Sequence, residues 1–210
     1  ALRLADEQGL PRVKHDVYLL LARLAHKKGD LRAMAAALEG AIKVFASDEV
    51  TTIRLGRLLM QEKRSADAQR VLTEAKTAGM KSVAFEVTLV EFWLSVNRSQ
   101  DAEAEIEVAK KSYPDSPDLM YLHAQVEDKL GHFATARDAF EQVVAKDPKH
   151  LRAQLRLAEL QSAAGKHDEA LATLVRAREV SGEDETILRN TVTELVHLKR
   201  EDEARKLLAK

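Results

Sequence analysis

Apolar residues along this chain recur at helical spacing, in pairs of segments that are separated by short polar breaks. The stretch from Pro117 to Val180 contains two copies of this pattern. The marker residues Ala124, Gly131, Ala136, Phe140 and Pro148 recur 34 residues later as Ala158, Gly165, Ala170, Leu174 and Gly182. Each copy predicts two helices joined by a glycine-centred turn. A fixed period of this length is typical of a solenoid, in which every unit packs on its neighbours.

The same period extends over most of the chain without an insertion. With Pro148 at position 32 of a 34-residue unit, units begin at His15, Glu49, Val83, Pro117, Leu151 and Glu185. Positions 8 and 20 usually hold small residues, such as Ala124 and Ala136, and position 24 holds a large apolar residue, such as Phe140 or Leu208. Small side chains let antiparallel helices approach closely, and large ones fill the space around the contact. Residues 15–210 are therefore predicted to form one solenoid domain of six helix-turn-helix units.

Position 15 of each unit is predicted to be the turn between its two helices. It holds Gly29, Lys63, Asn97, Gly131, Gly165 and Lys199. Glycine and asparagine tolerate the left-handed conformation that ends a helix. Lys63 and Lys199 are therefore expected either to bear a small strain or to adopt a different turn.

These features resemble the signature of the tetratricopeptide repeat family: the residue sizes at positions 8, 20, 24 and 27, the glycine at 15 and the proline at 32. The resemblance covers residues 15–210 and is closest in the fourth and fifth units. The aromatic residues usual at positions 4, 11 and 17 remain only as Tyr18, Trp93 and Phe133. The resemblance implies an all-α fold in which helix pairs stack into a right-handed superhelix, and we expect a bacterial protein.

The two ends of the chain follow the same register. Residues 1–14 are predicted to be the remnant of a preceding unit's second helix, because Leu4 falls at position 24. Neither end has the polar cap that shields the last apolar face of a solenoid. We therefore expect a segment of a longer array whose uncapped ends favour self-association. The alternative is a natural terminus that is swapped or covered in a dimer.

Composition restricts the classes of function. The net charge is −1, so no overall field favours nucleic acid or an anionic membrane. The chain has no cysteine, which excludes disulfides and a cysteine nucleophile and is compatible with cytoplasm or periplasm. No apolar run approaches the roughly 20 residues that a membrane helix needs. Composition therefore does not distinguish a cytoplasmic from a periplasmic protein.

The sequence contains no motif that predicts catalysis, a cofactor or a metal ion. It has no glycine-rich phosphate loop, no His-Glu-x-x-His pair and no EF-hand loop. His123 is unusual because it occupies position 7, where leucine is common. We interpret it as a half-buried histidine with a backbone or carboxylate partner, and the alternative is a metal-binding or pH-sensing role.

The resemblance implies that the first helices line an inner groove, chiefly through positions 2, 5, 9, 12 and 13. The middle of this groove is predicted to be apolar, between a basic end with Arg23, Lys27, Arg54 and Arg57 and a more acidic stretch. The residues predicted to bind a partner are Arg23, Ile53, Arg57, Met60, Val87, Glu91, Leu94, Tyr121, Gln125, Asp128, Leu155 and Glu159. An apolar trough with a polar rim suits an amphipathic helix or an extended peptide. The alternative is that neighbouring side chains shade these positions and no partner binds there.

We therefore predict a non-enzymatic scaffold that binds a peptide, a helix or a partner protein in the groove. The carboxylate clamp of chaperone-binding family members is absent, because position 5 is apolar through the fifth unit. One alternative is a structural spacer or assembly segment of a larger bacterial envelope protein, such as an exopolysaccharide-export component. A second alternative is an enzyme whose catalytic domain lies outside these residues.

Overall fold

The computed structural model describes residues 1–182 and 184–209, and these residues form helices with no strand. The helices are α1 Leu2–Glu7, α2 Pro11–Lys27, α3 Leu31–Val44, α4 Glu49–Gln61, α5 Ser65–Thr77, α6 Val83–Ser95, α7 Ser99–Ser112, α8 Pro117–Leu130, α9 Phe133–Lys146, α10 Leu151–Ala163, α11 His167–Ser181, α12 Glu185–His197 and α13 Glu201–Leu208. The all-α prediction is confirmed. None of the described helices is both long and apolar enough to cross a membrane. Lys210, the last residue of the sixth predicted unit, lies outside the described residues.

The chain divides into two compact units, which we call unit 1 (Ala1–Ala109) and unit 2 (from Lys110 onward). In unit 1, α2 packs against α3, α4 packs against α3 and α5, and α6 packs against α4 and α5. In unit 2, each helix from α8 to α12 packs against the next one along the chain. Short turns between successive helices produce antiparallel hairpins in both units.

The turns inside the hairpins share one geometry. The residue at position 15 has a positive φ in all of them: Gly29 (71°), Lys63 (57°), Asn97 (58°), Gly131 (82°), Gly165 (74°) and Lys199 (57°). The next backbone N–H then donates to the carbonyl five residues earlier, as from Arg64 to Leu59 at 2.9 Å and from Arg200 to Leu195 at 2.8 Å. This bond is characteristic of the Schellman motif. Lys63 and Lys199 therefore adopt the left-handed turn, at a cost of roughly 1–2 kcal/mol each.

Most first helices begin at a residue that follows a side-chain cap. Helices α4, α6, α8, α10 and α12 begin at residues that also open predicted units, and the residue before each accepts a hydrogen bond from a backbone N–H of the first turn. These caps are Asp48, Ser82, Ser116, His150 and Asp184. Helix α2 begins at Pro11, before His15, because a proline loses no hydrogen bond at the first helical position. The division into a remnant and six units remains a prediction.

Small residues lie where helices touch. Ala124 and Ala136 are fully buried in one cluster with Phe140. Gly40 allows an even closer contact, since a Cβ atom there would lie 2.3 Å from the ring of Tyr18. Leu208 differs from its predicted position in the core, because it is 63% exposed. It is the last residue of α13, which packs against α12, and no buried cluster of the described residues includes it.

One carboxylate is buried in unit 1 without a hydrogen-bond partner for one of its oxygens. Glu86 on α6 is buried, and its Oε2 atom has no partner among the described residues. Burial raises the pKa of Glu86, the carboxylate of Glu105 on α7 raises it further, and Lys76 on α5 opposes them. Lys76 is itself bound to Glu105, with its Nζ atom 2.6 Å from Oε1. Glu86 is therefore a buried acid whose ionised form is disfavoured.

Replacing Lys63 by glycine should stabilise the protein. Glycine adopts a positive φ without steric cost, so the Lys63→Gly variant should gain about 0.5–1 kcal/mol in the free energy of unfolding, measured with urea. Gln69 is exposed in the interior of α5, in the same hairpin as Lys63, and is the control. Gln69→Gly should lose about 0.5–1 kcal/mol, because glycine is a poor helix former. A loss of stability in Lys63→Gly would contradict the strained-turn interpretation.

Replacing Glu86 by glutamine should give a pH-dependent gain in stability. A carboxyl group with a raised folded-state pKa favours folding below its unfolded pKa, and this contribution is lost as the pH rises through the folded pKa. Glu86→Gln should therefore be more stable than the natural chain at pH 7, and the difference should shrink toward pH 4. Urea unfolding at the two pH values measures it. If the free energies of unfolding of the variant and the natural chain differed equally at both pH values, ionisation of Glu86 would not be the cause of the difference.

Candidate functional site

The residues predicted to bind a partner all lie on first helices of the hairpins. Those in unit 1 are on α2, α4 and α6: Arg23, Ile53, Arg57, Met60, Val87, Glu91 and Leu94. Those in unit 2 are on α8 and α10: Tyr121, Gln125, Asp128, Leu155 and Glu159. Their role in binding remains a prediction.

Unit 1 contains a depression of about 450 Å³ between α2, α3 and α4. We call it the α4 depression, because most of its lining residues belong to α4. They are His26, Leu31, Met34, Val50, Ile53, Arg54, Arg57, Leu58 and Gln61. Two residues of the predicted site, Ile53 and Arg57, therefore line one cavity. Val50 and Gln61 lie on the same face of α4, because residues 50, 53, 57 and 61 are spaced three or four positions apart.

The floor of the α4 depression is apolar. Met34 and Leu58 are buried, Ile53 is half-buried, and Val50 is 78% exposed. An exposed valine beside buried core residues offers apolar surface to a partner. Fully covering such a side chain contributes roughly 1.5–3 kcal/mol.

Val87 is a core residue rather than a groove residue, which corrects the prediction for this position. Its side chain is only 8% exposed. The helix that carries it, α6, is apolar on nearly every side, with Phe85, Leu89 and Phe92 also buried. Because neighbouring helices enclose α6, helical spacing alone does not identify an accessible face there. Met60 and Leu94 are half-buried and keep some accessible surface.

The arginines of unit 1 near the α4 depression are weakly neutralised. Arg57 and Glu91 approach to 3.5 Å between Nη2 and Oε2, and their side chains are 52% and 40% exposed. Among the described residues, Arg54 and Arg23 form no ion pair. The basic end predicted from the sequence therefore presents positive charge to solvent.

The predicted acidic stretch comprises Glu91, Asp128 and Glu159, and its two residues in unit 2 are neutralised by Arg156, which is not among the predicted site residues. Arg156 on α10 donates from Nε and Nη2 to the two carboxylate oxygens of Asp128 at 2.7 and 2.6 Å, and from Nη1 to Glu159 at 2.6 Å. The hydrogen bond to Asp128 raises the pKa of the Arg156 guanidinium. The only sequence signal for this network is the spacing of three residues between Arg156 and Glu159, because Asp128 lies on another helix.

The remaining predicted residues of unit 2 are held by neighbouring side chains. The amide nitrogen of Gln125 donates to the hydroxyl oxygen of Tyr121 at 3.2 Å. The Tyr121 ring lies 4.4 Å from that of His150 and 6.0 Å from that of Phe140, and burial raises the pKa of its phenol. Leu155 is half-buried against the core of α11 and α12. A substitution of Tyr121 would therefore change folding as well as binding.

His123 is a half-buried histidine with a carboxylate partner, as the sequence analysis interpreted it. Its Nε2 atom lies 3.5 Å from Oε1 of Glu127, one turn along α8. Glu127 also contacts Nδ1 of His132 at 3.0 Å. The buried Glu127 carboxylate thus has partners on both sides.

Two further depressions lie between second helices and include none of the predicted residues. One, of about 270 Å³, lies between α3 and α5, and the other, of about 290 Å³, lies between α9 and α11. Arginine and glutamate side chains line both, with Arg70 pairing with Glu39 at 3.4 Å in the first. Both are smaller than the α4 depression.

Sequence models of the tetratricopeptide repeat match residues 15–48 and 129–189. The chain contains tetratricopeptide repeats. None of the curated protein sequences compared with this protein matches it significantly. The two matched segments include most of α2 and all of α3 in unit 1, and α9, α10, α11 and the start of α12 in unit 2.

Solved structures show the same fold. A tetratricopeptide repeat protein from Parabacteroides merdae has a TM-score of 0.73 at 15% identity, over 93% of this chain and 77% of its own. PilF from Pseudomonas aeruginosa has a TM-score of 0.77 at 15% identity, over 94% and 90% of the two chains. YrrB, described as having an unusual peptide-binding site, has a TM-score of 0.67 at 17% identity, over 90% and 96%. At these identities the similarity establishes the solenoid fold alone.

Tetratricopeptide repeat proteins bind protein or peptide partners and are generally non-enzymatic. The fold of this protein accordingly indicates a protein-interaction scaffold.

The ion pair of Asp128 with Arg156 and that of Glu91 with Arg57 should differ strongly in coupling energy. A double-mutant cycle with Asp128→Ala and Arg156→Ala should give about 1–2 kcal/mol in urea unfolding, because the bonds are bidentate and partly buried. The matched cycle with Glu91→Ala and Arg57→Ala should give less than about 0.5 kcal/mol, because that pair is long and exposed. Equal values would show that Arg57 is as fully neutralised as Arg156.

Proposed function

We propose that unit 1 binds a peptide or helix of a partner protein in the α4 depression. The observation that carries this proposal is the apolar surface of the exposed Val50 and the half-buried Ile53 beside the buried Met34 and Leu58, with arginines at the rim. Apolar burial would supply most of the affinity, and the rim charges would set orientation and the rate of association. Peptide binding by the structural neighbour YrrB supports this class of ligand.

The binding surface proposed here is narrower than the groove expected from the sequence. It comprises Ile53 and Arg57 from the predicted set together with Val50 and Arg54, which line the same depression. Val50 and Ile53 occupy positions 2 and 5 of their unit, and Arg57 occupies position 9. The family resemblance assigns those three positions to the inner face, which supports the proposal.

Peptides selected from a random library on the immobilised chain should depend on Val50. The Val50→Asp variant should bind them at least about tenfold more weakly, because a loss of 1.4 kcal/mol of apolar burial corresponds to tenfold in affinity. Val175 on α11 is the matched control, being also a substantially exposed valine but on a second helix. Val175→Asp should bind within about twofold of the natural chain.

Circular dichroism and thermal unfolding of both variants check that the fold is intact. Equal binding of the selected peptides to Val50→Asp and to the natural chain would place their site elsewhere. In that case the α4 depression is not the docking surface.

A further inference from the structure

The two arginines that line the α4 depression, Arg54 and Arg57, are poorly matched by carboxylates of their own chain. Among the described residues, Arg54 forms neither an ion pair nor a side-chain hydrogen bond. Arg57 has one acidic neighbour, Glu91, at 3.5 Å, and the two side chains are 52% and 40% exposed. An ion pair of that length and exposure contributes little. Both guanidinium groups are therefore available to an external anion.

The acidic residues nearest to Arg54 in the sequence, Asp48 and Glu49, have other partners at the N-terminus of α4. Asp48 accepts a hydrogen bond from the Thr51 N–H at 3.1 Å and lies 2.8 Å from the His15 ring. Glu49 accepts a hydrogen bond from the Ser82 hydroxyl. Neither carboxylate pairs with an arginine of the α4 depression. The positive charge there is local, since the chain as a whole carries a net charge of −1.

Arginines elsewhere in the protein show the contrast. Arg64 and Arg98, at the starts of second helices, each contact an aspartate three residues later at 2.7 Å. Arg156, on a first helix of unit 2, is held by Asp128 and a neighbouring glutamate. These three arginines are thus neutralised by carboxylates of the chain itself, whereas Arg54, which lines the α4 depression, is not.

The polar groups that line the depression suit a helical ligand better than an extended one. Its lining contains the donors Arg54 and Arg57, and only Gln61 and His26 offer side-chain acceptors. An extended peptide needs partners for its own backbone N–H groups as well as for its carbonyls. A helix satisfies its backbone internally and presents only side chains. The surrounding helices also leave no sheet edge that an extended strand would join.

We infer that the segment bound in the α4 depression is an acidic amphipathic helix. This inference rests on the proposed function and adds the chemistry of the partner. An apolar side chain of the partner inserts over Val50 and Ile53. A glutamate or aspartate one turn away pairs with the Arg54 and Arg57 guanidinium groups, which bind carboxylates in a planar, bidentate manner.

A helical peptide library displayed on phage, randomised on one face without charge bias, tests this inference. Peptides enriched on the natural chain should carry a net negative charge and an apolar residue one turn from a carboxylate. Neutral or basic enriched peptides that still lose affinity on Val50→Asp would overturn the acidic partner while leaving the proposed function intact. A failure to enrich any peptide would overturn both.

One enriched peptide, synthesised with its carboxylates intact and with each replaced by the amide, identifies the contact. The acidic form should bind about tenfold more tightly than the amide form by fluorescence anisotropy, and added salt should reduce this difference. On Arg54→Glu the two forms should bind alike or the amide form better. Arg32→Glu is the matched control, because Arg32 is exposed, has no ion pair among the described residues and lies on α3 outside the depression.

A proline placed in the middle of the peptide separates helix from extended chain. It should abolish binding if the bound form is helical, because proline breaks the helix interior. Unchanged affinity of the proline peptide would overturn the helical part of the inference. Retention of full affinity by Arg54→Glu would overturn its electrostatic part.

Discussion

The rest of this structure depends on the left-handed turn that joins the two helices of each hairpin and on the backbone hydrogen bond that closes this turn. It reverses the chain within a few residues and holds the last turn of one helix to the first residue of the next, as from Arg98 to the Trp93 carbonyl at 2.9 Å. Only a positive φ brings that N–H toward the carbonyl. Glycine meets this requirement without strain, and Lys63, Asn97 and Lys199 meet it because the packing of the two helices outweighs the local cost.

Close helix packing then decides which side chains remain for function. Alanines such as Ala68 and Ala136 are completely buried between helices, so the hairpins approach closely and large side chains such as Phe140 fill the remaining space. The first helices lose much of their surface to these contacts. What they keep is a narrow face, and in unit 1 this face includes the α4 depression with Val50 at its edge.

Ion pairing distinguishes Arg156 on α10 from the arginines that line the α4 depression. In unit 2, Arg156 joins Asp128 and Glu159 in a partly buried network. Such a network holds α8 and α10 in register and leaves little field for a ligand. In unit 1, Arg54 has no ion pair among the described residues and Arg57 has only a long one, so the two extend an attractive potential for acidic groups to about a Debye length, roughly 8–10 Å at moderate salt.

The sequence by itself determined the class of fold, because helix periodicity, residue size and turn residues are local properties that repeat with the unit. It also placed Ala136, Phe140 and the turn at Gly131 correctly, and it selected Ile53 and Arg57, which line one depression. Only the tertiary structure decided that Val87 is buried, that Leu208 is exposed and that Arg156 neutralises Asp128. Burial and ion pairing depend on contacts between helices that are distant in sequence. Local residue spacing does not predict which side chains of those helices come into contact.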